Sequence, residues 1–222
     1  MADVTLTYKG QTILEMSATG NKTLKTAGKY CEANINIEYS GGSEFPALPA
    51  EYQKVEYLGI TQSSAYFPIS FSPIEINDKI EVEVMDTATT TSEQGFIGES
   101  SGGGIWEIFF KSGNIEFYGG VTGTLRSYEK NEKQTIQGRF TERATASSFN
   151  FGFYRGTYYF TGRLYGLRIY SGRSGYDKTL TWCKLVPCYL KSDNTPGFYD
   201  LVNSVFYTKT GSGAVEIGPD VN

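Results

Sequence analysis

The sequence predicts an all-β protein: a small N-terminal β module followed by an antiparallel two-sheet sandwich or jelly roll. Three observations predict it. Seventeen Tyr and fourteen Phe tilt the apolar share towards aromatic residues, which fit the half-buried face of a pleated sheet. Twenty-six Gly supply the tight turns such folds need. Short segments of period-two alternation recur between turn signals, and no window carries a convincing 3.6-residue period.

Residues 3–40 read as a compact β unit. Val4, Leu6 and Tyr8 alternate with Thr5 and Thr7, Lys9-Gly10-Gln11 turns the chain, and residues 12–16 continue as a partner strand. After a turn at Ala18-Thr19-Gly20-Asn21, Ile35, Ile37 and Tyr39 alternate with Asn34, Asn36 and Glu38 on the last strand of the unit. So short a piece buries little core and is expected to depend on a neighbour or on self-association. Residues 40–49, Ser-Gly-Gly-Ser-Glu-Phe-Pro-Ala-Leu-Pro, then break all periodicity with flexible residues followed by stiff ones, the composition of a linker. The expected organisation is a module at 1–42, a linker at 43–48 and the sandwich at 49–222.

Within the sandwich, Ile80, Val82 and Val84 alternate with Glu81 and Glu83, so one face of that strand is apolar and the other carboxylate. Further strands are expected at 95–98, 105–110, 115–118, 135–140, 149–154, 160–170 and 205–209, with glycine at most corners. Strict alternation along 162–170 sets Leu164, Gly166, Arg168 and Tyr170 on one face. Tyr165, Leu167 and Ile169 fall on the other, the expected core face.

Composition narrows the function classes. With 39% hydrophobic and 20% charged residues the chain is globular in type, and a domain of roughly 170 residues buries about 70% of its unfolded surface without staples. Cys31, Cys183 and Cys188 are an odd number whose one close pair is spaced C-x4-C, neither a disulfide framework nor a zinc knuckle. The chain has no His, the commonest partner ligand of zinc. Buried, reduced thiols are the expectation, with a Cys183–Cys188 bridge as the alternative. A net charge of −4 with dispersed Lys and Arg gives no basic stripe, so nucleic acid is not expected as a partner. The start Met-Ala-Asp-Val-Thr lacks a charged segment followed by an apolar one, and no run approaches the ~20 apolar residues of a membrane span. Synthesis in the cytoplasm without a signal peptide, and no membrane insertion, are expected.

The segment Leu48-Pro49-Ala50-Glu51-Tyr52-Gln53-Lys54-Val55-Glu56-Tyr57-Leu58 resembles the opening strand of concanavalin A-like, laminin-G-like domains in proteins of phages and prophages of gut bacteria. Gly162-Arg163-Leu164-Tyr165-Gly166-Leu167-Arg168-Ile169-Tyr170, then Leu185-Val186-Pro187-Cys188, then residues 197–208, Gly-Phe-Tyr-Asp-Leu-Val-Asn-Ser-Val-Phe-Tyr-Thr, are similar to that family's closing strands. The tail Gly211-Ser212-Gly213 followed by Gly218-Pro219 fits the same pattern. The N-terminal unit, with Thr7-Tyr8-Lys9-Gly10 and the late Cys31, resembles a small β module that precedes varied C-terminal domains in phage structural proteins. The resemblance implies a virion protein of tail, fibre or baseplate. Residues 1–42 would attach to other virion proteins, and a concanavalin A-like jelly roll would touch a host-surface glycan. A capsid decoration or head-fibre role is the alternative, and homo-oligomerisation is expected in either. One scaffold hosts many functions, so the fold alone does not establish glycan binding.

Glu81-x-Glu83-x-x-Asp86 approaches the E-x-D-x-x-E strand of some sandwich glycosidases with its middle and last acids exchanged. A retaining pair needs carboxyls about 5–5.5 Å apart; a solvated strand face accounts for the same letters and is the expectation. Without His, no Ser-His-Asp or Cys-His system can be assembled within the chain, and no enzyme activity is expected. Ser100-Ser101-Gly102-Gly103-Gly104 lacks the Gly-Lys-Ser/Thr ending of a phosphate loop and reads as a loop tip. Asp177 and Asp193-Asn194 are the loop carboxylates a calcium site would use, but Asp193-Asn194 before Thr195-Pro196-Gly197 reads as a turn; no metal or cofactor is expected. Sugar binding needs an exposed aromatic face beside hydrogen-bonding groups. Trp106, Tyr118, Tyr158, Tyr159 and Trp182 are the candidates, although Ile105 and Ile108 around Trp106 favour packing.

Overall fold

The computed structural model describes residues 2–8, 11–18, 45–61, 64–70, 74–89, 93–99, 106–124, 126–143, 148–154, 158–172 and 181–221, with side chains from residue 45 onward except at 153, 154, 158 and 159. The chain divides into two compact units, Met1–Pro46 and Ala47–Asn222. In the first, β1 (Ala2–Tyr8) pairs antiparallel with β2 (Gln11–Ala18), with a register shift between Leu6 and Thr7. The expected strand at 35–39 and Cys31 lie outside the described residues, as do the loop at 100–104 and Asp177.

Among the described residues the second unit contains strands and no helix. Its larger sheet holds β3 (Tyr52–Lys54), β4 (Leu58–Ile60), β6 (Lys79–Asp86), β10 (Val121–Gly123), β12 (Gln134–Phe140), β16 (Gly162–Tyr170), β17 (Thr181–Leu190), β18 (Thr195–Asp200), β19 (Val205–Thr208) and β20 (Val215–Ile217). The main path runs β10-β12-β6-β16-β17-β18-β19; β4 joins β16 to β20 and β3 joins β17. The smaller sheet is ordered β11 (Arg126–Ser127), β9 (Asn114–Gly119), β8 (Trp106–Lys111), β7 (Gln94–Glu99), β13 (Ser148–Phe151), β5 (Phe67–Ser70). A further pair joins β14 (Phe153–Tyr154) to β15 (Tyr158–Tyr159). All pairings are antiparallel.

The two sheets bury one shared core, the arrangement of a β-sandwich. Alternation does this on β6, where Ile80, Val82 and Val84 are buried and Glu81 and Glu83 are not. Aromatic rings then bridge the sheets. Phe198 of β18 meets Phe67 of β5 edge-on at 4.9 Å and Phe151 of β13 at 5.0 Å, and Trp106 of β8 meets Phe140 of β12 edge-on at 5.0 Å. Such contacts add to the apolar area each ring removes from water.

Strict alternation fails on β16. Leu164 pairs with Val84 but Gly166 pairs with Glu83, so Tyr165 is an extra residue in a β-bulge. Leu164, Leu167 and Ile169 all reach the core while Tyr165 does not. An extra residue inverts the parity of everything beyond it, which corrects the expectation that placed Tyr165 inside and Leu164 outside. A second bulge lies on β17. Ile169 pairs with Cys183 and Tyr170 with Thr181, leaving Trp182 unpaired.

Cys183 and Cys188 are both free and buried. Cys183 joins the main core, whereas Cys188 packs with Val186 and Tyr199 in a second, smaller cluster. Burial pushes the Cys188 thiol up to about 12 and raises Cys183 well above its ordinary value, with Asp200 adding to the effect. The thiolate is the reactive form. In a Cys31→Ser variant, iodoacetamide at neutral pH is therefore expected to label neither residue in the native state, and both after denaturation. The thiolate fraction of Cys188 should be suppressed roughly a thousandfold relative to a free cysteine; native labelling at the rate of a free thiol would contradict this burial.

Candidate functional site

The outer face of the larger sheet carries a polar row. Register aligns Gln137 of β12 with Glu81 of β6, Glu81 with Arg168 of β16, and Arg168 with Lys184 of β17. One step along, Thr135, Glu83 and Gly166 align in the same way. Gly166 has no side chain to fill its place, and a Cβ there would come within 3.0 Å of the Leu185 carbonyl oxygen. A depression of about 280 Å³ results. Its walls include Lys54, Glu81, Glu83, Lys133, Arg168 and Lys184, with Tyr165 and Gly166 from the bulge.

Four charged groups of the depression, Glu81, Glu83, Lys133 and Arg168, have partners within the protein. Gln137 donates through Nε2 to Glu81 Oε2 at 2.9 Å, and Lys133 forms an ion pair with Glu83 at 3.1 Å. Arg168 donates to Thr181 Oγ1 from Nε at 2.9 Å and from Nη2 at 2.6 Å. Lys133 also lies 4.6 Å over the Tyr165 ring, which packs 5.6 Å from Tyr57. Arg163 covers Tyr57 in turn at 4.2 Å, and the Tyr57 hydroxyl donates to Glu216 at 2.9 Å. Burial and that hydrogen bond raise the phenol above its ordinary value.

Lys184 differs from these four, and from Lys54, which also lines the depression but is exposed. It is half-buried, and burial lowers the ammonium below its ordinary range; Arg168 and Lys54 push the same way, and Glu83 and Glu81 oppose them. No hydrogen-bond or ion-pair partner meets its Nζ among the described residues.

Trp106, Tyr118 and Trp182, the three aromatic candidates with described side chains, are not brought together. Trp106 is 0% exposed, its ring enclosed by Phe140 and Phe149; it is a core residue and offers no face to a sugar, because Ile108, two positions along the strand, shares its inward direction. Tyr118, 53% exposed, belongs to β9 of the smaller sheet, and Trp182, 44% exposed, to β17 of the larger. Trp182 is exposed because the bulge releases it from the ladder, a usual way of re-aiming a side chain. Tyr158 and Tyr159 form β15, and their side chains lie outside the description. The three acids of the strand motif separate as well. Glu81 and Glu83 face outward, whereas Asp86 is fully buried on the opposite face, accepting bonds from Ala88 N, Gln94 Nε2 and Tyr128 Oη at 2.8, 3.0 and 2.8 Å. Asp193 serves a turn: its carboxylate accepts the Thr195 amide at 2.9 Å, and Asn194 takes a φ of 58°.

Arg168, Lys184, Lys133 and Tyr165 are the site residues that sequence reasoning missed. Lys184 between Cys183 and Leu185 was the available signal, a cation inside an apolar strand. Comparison of the chain with protein-family models, with curated proteins and with solved structures finds no match.

Proposed function

We propose that the chain is a structural protein of a phage virion, in the tail, fibre or baseplate, whose concanavalin A-like jelly-roll domain adheres to host-surface glycans. The observation that carries this reading is the family resemblance of the closing segments. They form β16, β17, β18 and β19, four strands that pair consecutively in the larger sheet, so the similar residues make one contiguous surface. The depression on that sheet's outer face supports adhesion, since carboxylates and cations at its walls can bond sugar hydroxyls. Residues 1–42 act as the attachment module, and homo-oligomerisation multiplies weak single contacts.

One observation favours a second reading, capsid decoration. Trp182, Val202 and Val205 are exposed apolar residues gathered where Asn203 Nδ2 bonds the Trp182 carbonyl at 3.0 Å, a surface suited to a protein neighbour. Localisation on intact virions by gold-labelled antibody or cryo-electron microscopy decides. Signal at the tail tip is the expected result; signal over the head selects decoration, and absence from particles overturns both.

A further inference from the structure

The geometry points to an acidic sugar, a uronate-type residue, as the ligand of the depression, its carboxylate accepting from Lys184 and its hydroxyls donating to Glu81 and Glu83. This rests on the adhesive reading above and names the ligand class for it.

Glu81, Glu83, Lys133 and Arg168 each have a partner within the protein. Lys184 carries three donors, is half-buried, and has no acceptor among the described residues. A half-buried ammonium with no protein acceptor keeps its donors for a ligand, and Arg168 and Lys54 add positive charge around it that Glu83 and Glu81 partly offset. A carboxylate supplies the missing acceptor, and charge-assisted hydrogen bonds of this kind are roughly twice as strong as neutral ones. The anion must also tolerate the three wall carboxylates, Glu56, Glu81 and Glu83. A compact anion such as phosphate brings charge but few donors and is repelled by Glu81 and Glu83, whereas a sugar acid brings hydroxyls that donate to them. Size agrees: about 280 Å³ lies just below the range of roughly 300–1,000 Å³ for ligand pockets, suited to a single sugar ring. Gly166 leaves the floor open for it.

The test uses the full chain and saturation-transfer NMR with D-glucuronate, D-glucose and inorganic phosphate as probes. D-glucuronate is expected to bind at millimolar concentration, and D-glucose, which carries a hydroxymethyl group in place of the carboxylate, about tenfold or more weakly. Lys184→Met should weaken glucuronate about ten- to a hundredfold, the loss of one charged hydrogen bond. Lys184→Arg should retain part of the binding, and Lys111→Met, on the smaller sheet, should leave it unchanged. Thermal unfolding of each variant confirms that the fold persists. If glucose binds as well as glucuronate and Lys184→Met is silent, the acidic-sugar inference falls while glycan adhesion stands. If phosphate displaces glucuronate at equal concentration, the site is a plain anion site and the inference falls. If a broad glycan array and all three probes give no binding, both the inference and the adhesive reading fall.

Discussion

Replacing Trp106 with alanine is expected to destabilise the sandwich by roughly 3–5 kcal/mol, the usual range for emptying a buried aromatic site, and to lower its melting midpoint by roughly 6–20 °C. The indole is fully buried and touches rings from both sheets, edge-on to Phe140 at 5.0 Å and tilted against Phe149 at 5.7 Å. Its Nε1 meets no hydrogen-bond acceptor among the described residues, so Trp106→Phe, which removes that donor while keeping a ring, should cost much less than alanine, about 1–2 kcal/mol for the smaller cavity left. Trp182→Ala is the contrast. With 44% of its surface in water and no place in the core, its loss should stay within about 0.5 kcal/mol. Equilibrium urea unfolding of the three variants checks the set; a Trp106→Ala protein as stable as the parent would remove Trp106 from the core and return it to the list of sugar platforms.

Asp86→Ala is expected to cost roughly 3–5 kcal/mol for a different reason. The carboxylate is fully buried and collects three donors, the Ala88 amide, the Gln94 side chain and the Tyr128 hydroxyl. Each hydrogen bond to a charged group contributes about 1.5–3 kcal/mol, and donors left buried without acceptors keep their desolvation penalty. The network extends further, since Gln94 Oε1 accepts from the Thr161 amide at 3.0 Å. Burial and the Asp86 hydrogen bond together raise the Tyr128 phenol far above its ordinary value, so Asp86→Ala should also bring Tyr128 titration back down when followed by ultraviolet absorbance. Glu81→Gln should change stability by no more than about 0.5 kcal/mol, because its carboxylate sits on the outer face beside an exposed amide. Equal effects at Glu81 and Asp86 would mean that the motif acts as one group and that the strand's two faces are not distinct.

The sandwich was legible where a single strand carries its own answer. On β6, Ile80, Val82 and Val84 repeat with period two, and the physical cause, one face in the core and one in water, acts on every residue of the strand. Asp86 corrects the expectation of a solvated face for all three acids, because an offset of five from Glu81 is odd and turns it inward. The turn at Asp193-Asn194 was legible from local chemistry, a short carboxylate reaching an amide two residues on. The site was less legible. Large aromatic residues are the natural sugar platforms, but size favours burial as much as stacking, and Trp106 is a core residue. The depression is built instead from charged residues on four strands and beside them, 54 to 184 in the chain, which alternation along any one strand does not connect.

Composition and alternation by themselves determined that the described chain is made of strands, where most of them lie, and which residues of β6 face the core. Those properties depend on neighbours one or two positions away. Only the tertiary structure decided that Tyr165 and Trp182 are the extra residues of two bulges, that Leu164 packs inside, and that Glu81, Arg168 and Lys184 stand in one row. A bulge exists only relative to a partner strand: Tyr165 is surplus because Val84 and Glu83 take the residues on either side of it. No pattern within residues 162–170 records that partner, and the parity of half the strand, with the floor of the depression, hangs on it.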